Sequence, residues 1–211
     1  YSKNAIGIVT FKSLTFSRRC TMIESNREIK KPSEKREIMP RFEASALRGY
    51  CVSVLTASGV ERSCAEAVAD ALIDAELTGV STHGVSRLAV YMQRMDAGVM
   101  SRENNIRIVR ESTSTLVVDA GNSLGAAAAK FAMERCIAKA KEAGCCFASV
   151  HSSNHFGTAA YYTRLAAAQD MIGFACTNLK GKIAPFGSAG WYRSARPSRR
   201  SASSSCFASA G

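Results

Sequence analysis

From Arg41 onward the apolar residues recur with a helical period. Phe42, Leu47, Tyr50, Cys51, Val54 and Leu55 form one stripe that stops at Gly59, and Cys64, Val68, Leu72, Ile73 and Leu77 form a second that stops at Gly79. A third begins near Ser81 and runs to Gly98 through Leu88, Tyr91, Met92 and Met95. The spacing predicts three helices within residues 39–98. Past Gly98 the period shortens: 106–109 and 115–119 read as two strands of a hairpin around polar Glu111-Ser-Thr-Ser. An Ala-rich helix over 125–143 follows, with Phe131, Met133, Cys136 and Ile137 on its apolar side and Gly144 as its stop. A strand over 145–150, a helix over 158–169 and a strand over 171–176 complete a β-α-β-α-β alternation. That pattern belongs to an α/β fold, here N-terminal helices followed by a layered sheet with crossover helices over 99–187.

The two ends differ from this body. Residues 1–38 show no core pattern and read as a disordered or leader-like segment: Lys3, Lys12, Arg18 and Arg19 precede the first acid, Glu24. Such a segment is either a mitochondrial transit-like leader or linker sequence ahead of a start at Met22 or Met39. The expected compartment is cytoplasmic, with mitochondrial as the alternative. Residues 188–211 form an aperiodic Arg/Ser tail that reads as disordered.

Composition narrows the class. The chain has 211 residues, 46% hydrophobic and 21% charged, enough for a core that needs neither disulfide nor metal staples. Its net charge is +11, but residues 1–38 carry +5 and 188–211 carry +4, leaving +2 for the body. Nucleic-acid binding would place the excess on a structured face, so no nucleic-acid partner is expected. No apolar run reaches the ~18 residues of a membrane span. The eight cysteines form no C-x-x-C pair and suit buried free thiols in a reducing compartment.

Two of the three histidines lie at junctions between elements, where side chains reach a cleft. With the third helix starting at Ser81, His83, Arg87 and Tyr91 fall at i, i+4 and i+8, on one stripe. An imidazole exchanges protons near neutral pH, a guanidinium grips a carboxylate in bidentate fashion, and a phenol hydrogen-bonds either partner; together they suit a 2-oxo or 2-hydroxy acid. Ordinary surface polarity at a helix start explains the same spacing. His155, in Ser152-Ser-Asn-His-Phe-Gly157, follows a strand at the sheet end where ligands bind. Ser153 or Asn154 there has the alternative role of capping the next helix. His151, His155, Cys145 and Cys146 match no common zinc spacing, so no metal is expected. Gly121-Asn-Ser-Leu-Gly125 is either a close approach to a ligand or a plain turn. The sequence contains no G-x-G-x-x-G and no P-loop.

Thr82-His-Gly-Val-Ser-Arg-Leu with Tyr91, Ser153-Asn-His-Phe-Gly157 with Tyr161-Tyr162, and Met171-Ile-Gly-Phe-Ala-Cys-Thr-Asn178 with Ala184-Pro-Phe-Gly187 occur in this order. Over about residues 39–187 the chain resembles the malate/L-lactate dehydrogenase family of the second type, with its ureidoglycolate, sulfolactate and diketogulonate dehydrogenases. The resemblance implies hydride transfer between NAD or NADP and a small 2-hydroxy acid, on a fold unrelated to the Rossmann domain, in a homodimer. Position by position it implies His83 and His155 as the two acid/base candidates, either of them the proton donor or acceptor, and Arg87, Tyr91 and Thr82 around the substrate. Thr177, Asn178, Leu179, Pro185 and Gly187 then lie along the cofactor. Leu179 departs from the family, which commonly has Ser there. More than a third of the family's length is missing, so a sheet cut off after 171–176 is expected to expose an edge and an apolar face. Two other classes stay open: a truncated paralogue that acts only by pairing with a longer subunit, and a metal-dependent hydrolase.

Overall fold

A computed structural model describes residues 4–12 and 41–178. Strand β1 (Asn4–Lys12) is followed by helices α1 (Ala44–Ala57) and α2 (Arg62–Leu77), a 3₁₀ turn at Ser81–His83, and helix α3 (Arg87–Asp96). Then come the β2 (Arg107–Glu111) and β3 (Thr115–Asp119) hairpin, α4 (Gly125–Ala143), β4 (Cys145–Ser153), α5 (Ala159–Ala167) and β5 (Met171–Thr177). The α/β alternation read from the sequence is the one that forms.

Among the described residues the sheet has the order β2-β3-β4-β1-β5. β3 and β4 are parallel, and β1 is antiparallel to both β4 and β5, so β3, β4 and β5 point their carboxyl ends the same way. That common end carries the loop with His155 and the residues Thr177 and Asn178. The strand inserted between β4 and β5 overturns one expectation. Residues 4–12, placed in a segment without core pattern, alternate Ile6, Ile8 and Thr10 into the core, and Thr10 hydroxyl reaches Met133 Sδ at 3.4 Å. The alternation is short and its partners lie more than a hundred residues away, so no local stripe announces it. The remainder of 1–38, and 188–211, lie outside the described residues.

The helices stack on one face of the sheet. Cys146, Ala148 and Val150 of β4 and Leu116 and Val118 of β3 are buried against α4, whose Ala126 to Ala129 and Ala132 let α2 approach closely from the other side. α4 ends at Gly144, whose φ of +82° lets its N–H close on Ala140 O. α1 forms the outermost layer, and its stripe is narrower than expected: Cys51, Val52 and Leu55 are buried, whereas Phe42 and Tyr50 face outward. On the opposite sheet face Phe11, Phe147 and Ile172 are exposed.

Candidate active site

The third helix does not start at Ser81. Val80 N–H closes on Ala75 O, a 3₁₀ turn carries His83, and extended Gly84 (ψ −152°) separates it from α3. His83, Arg87 and Tyr91 therefore do not share one helical stripe. They converge nonetheless, because the turn folds back over the start of α3 toward the loop after β4. There the His83 and His155 rings stack with centroids 5.3 Å apart and planes 25° apart. Tyr91 Oη lies 2.9 Å from His155 Nδ1. Thr82 Oγ1 is 3.0 Å from His83 Nδ1, and Arg87 Nε donates to Thr82 O at 2.6 Å.

The electrostatics of this cluster are one-sided. Burial pushes His155 down to about 4, and the charges of His83, Arg87 and Arg94 all push the same way. Burial and then Arg87 also lower His83. Burial raises Tyr91 to about 12, so the phenol keeps its proton at neutral pH. The cluster therefore holds neutral imidazoles next to guanidinium groups, a setting that favours an anionic ligand.

The His155 loop is locked from behind. Asn154, 5% exposed, does not cap α5, whose first turn follows Thr158. Its Nδ2 donates to Asn122 O, Asn122 Oδ1 and Ser123 O at 3.0 to 3.1 Å, and its Oδ1 faces Arg94 Nη2 at 3.4 Å. Gly125 completes the lock: a Cβ there would lie 2.2 Å from Asn154 O and 2.5 Å from His155 O. The 121–125 turn is thus a brace for the histidine loop. Arg94, Asn154 as a brace, Gly125 and Glu76 escape the sequence reading. Only Arg94 carries a signal, its i+7 position from Arg87 on the α3 face that also bears Tyr91.

Thr177 and Asn178 lie at the carboxyl end of β5, on the side of the sheet that carries the His155 loop. Leu179, Pro185 and Gly187 fall outside the described residues. A separate cleft between α1, α2 and α4 contains Arg48, Glu66, Asp70, Lys130 and Glu134 but no histidine, and in it Asp70 accepts from Arg48 at 2.6 Å and from Lys130 at 3.1 Å. Among the described residues no group of three or more His, Cys, Asp or Glu gathers as metal ligands, and no helix is long and apolar enough to cross a membrane.

The family model described as malate/L-lactate dehydrogenase matches residues 42–197. L-sulfolactate dehydrogenase of Methanocaldococcus jannaschii is 40% identical over 136 residues, 64% of this chain and 40% of that protein. Ureidoglycolate dehydrogenase (NAD(+)) of Escherichia coli K12 is 29% identical over 143 residues, 68% of this chain and 41% of that protein. The solved structure of malate dehydrogenase from Pyrococcus horikoshii OT3 superposes with a TM-score of 0.60 at 36% identity, covering 62% of this chain and 37% of that one. The chain thus spans about 40% of the length of the curated relatives it matches. Matched over most of its length, with the stacked histidine pair inside the matched region, the chain belongs to the malate/L-lactate dehydrogenase family.

Proposed function

We propose that the pocket is the substrate-side half of a nicotinamide-dependent dehydrogenase that interconverts a small 2-hydroxy acid and its 2-oxo acid. The observation that carries this is the His83–His155 stack, held at 2.9 Å by Tyr91 and surrounded by Arg87 and Arg94. Arg87 grips the substrate carboxylate. In oxidation the hydroxyl loses its proton and the carbon loses a hydride. The proton goes to Nε2 of His155, which needs its lone pair there; in that tautomer Nδ1–H donates to Tyr91 Oη, a bond the phenol accepts while keeping its own proton. His83 occupies the adjoining position and is the alternative proton carrier. A bound nicotinamide cofactor, NAD or NADP, supplies the hydride acceptor. The residues present fit it in one respect: Thr177 and Asn178 offer polar groups at the sheet end that the histidine loop shares. By resemblance alone, Leu179, Pro185 and Gly187 belong to the same cofactor site.

The test is calorimetric titration of the 211-residue chain with oxalate, a mimic of the planar 2-oxo acid, alongside turnover of malate, lactate and sulfolactate with each cofactor. Saturable oxalate binding that Arg87→Ala weakens about tenfold or more supports the assignment. Oxalate binding indifferent to both Arg87→Ala and His155→Asn overturns it.

One observation favours assembly as part of the function: Phe11, Phe147 and Ile172 lie exposed on the sheet face opposite the helices. A homodimer, or pairing with a longer relative without turnover of its own, would cover that face. Sedimentation of the chain alone and mixed with a full-length relative separates the two.

A further inference from the structure

We propose that Glu76 is a positioning residue of this pocket, one carboxylate that holds the His83 turn and the start of α3 in register. The proposal rests on reading the pocket as the dehydrogenase's substrate side. Glu76 stands in the last turn of α2, anchored by buried Leu72, Ile73 and Ala75, and its Oε1 accepts the Val85 N–H at 2.8 Å. Val85 is the hinge between the two functional pieces. On one side His83 N–H and Gly84 N–H close the 3₁₀ turn on Val80 O and Ser81 O, at 2.9 and 3.1 Å. On the other side Arg87 N–H and Leu88 N–H, both at 2.9 Å from Gly84 O and Val85 O, open the helix that carries Arg87 and Tyr91. A carboxylate at that helix start also meets the positive end of its dipole.

Gly84 supplies an independent second observation. Its φ of −85° lies outside the left-handed region, so no positive φ calls for glycine here. Space does: a Cβ at position 84 would lie 2.0 Å from Glu76 Oε1 and 2.4 Å from Glu76 Cδ. The carboxylate occupies the volume that any side chain at 84 would claim. Gly84→Ala should therefore act by expelling the Glu76 carboxylate, and its effect should vanish once that carboxylate is gone.

The experiment uses the 211-residue chain and needs no turnover. Val85 amide exchange and the nuclear Overhauser contact between the His83 and His155 rings are measured in the parent, Glu76→Ala, Glu76→Gln, Gly84→Ala and the Glu76→Ala/Gly84→Ala double variant; three histidines make the ring signals assignable. Glu76→Ala and Gly84→Ala should each speed Val85 exchange by about tenfold or more and abolish the ring contact. Glu76→Gln, which keeps an acceptor oxygen, should retain both, and the double variant should match Glu76→Ala alone. If Glu76→Ala does not fold, Gly84→Ala against Glu76→Gln decides. Unchanged Val85 exchange and ring contact in the variants that lose or expel the carboxylate, or additive effects in the double variant, would overturn the proposal. A chain that shows this pattern but binds oxalate indifferently to Arg87→Ala and His155→Asn would overturn the dehydrogenase reading and leave Glu76 its positioning role.

Discussion

Tyr91 and His155, 64 residues apart in the chain, meet at 2.9 Å through a phenol oxygen and an imidazole nitrogen. The contact joins α3 to the loop after β4, and it is the one that orients an imidazole already surrounded by positive charge.

Tyr91→Phe keeps the ring volume and deletes this partner. It should leave the fold intact and cost about 1 to 3 kcal/mol of transition-state stabilisation, the range for an unpaired buried polar group. Steady-state kinetics with the His155 ring signals monitored by NMR checks it; parental kcat/KM in Tyr91→Phe would remove Tyr91 from the mechanism.

Stability should fall with acid in a defined window. His155 titrates near 4 in the fold and near 6.5 when unfolded, so between those values the unfolded chain binds more protons. This contribution is complete above about pH 6.5 and is lost as pH falls toward 4, an effect of about 3 kcal/mol by linkage. Urea titrations across that range should show the slope, and His155→Gln should flatten it.

Arg87→Lys retains charge but loses the planar fork, so it should resemble Arg87→Ala more than the parent in carboxylate affinity. Both should weaken oxalate binding by about tenfold or more, with smaller effects on melting temperature. Calorimetry alongside thermal unfolding distinguishes the two consequences.

Gly125→Ala places a methyl against two backbone carbonyls, which cannot swing aside as a side chain would. Destabilisation of about 1 to 3 kcal/mol and a displaced His155 loop are expected. A circular-dichroism melt unchanged from the parent would show that α4 shifts freely, contrary to its buried alanine contacts.

The sequence by itself determined what local periodicity and turn chemistry control. Helix α4 ends where Gly144 enters the left-handed region, the 107–119 hairpin forms, and the β-α-β-α-β order stands, because each depends on neighbours within a few turns of chain. The three motifs also singled out His83 and His155 as candidates by residue type, and the structure brings those two rings together. Tertiary structure alone decided how they meet. A helical stripe for His83 was the natural reading of its spacing, but extended Gly84 and the Glu76 carboxylate divert the turn, and a space-filling contact leaves no trace in periodicity. Asn154, a capping residue by sequence, is drawn instead to Asn122 and Ser123, more than thirty residues away. Strand β1 is the extreme case: two ladders to β4 and β5 place it in the interior of the sheet, and hydrogen-bonded partners so distant in sequence are set by the assembled sheet rather than by the nine residues of the strand.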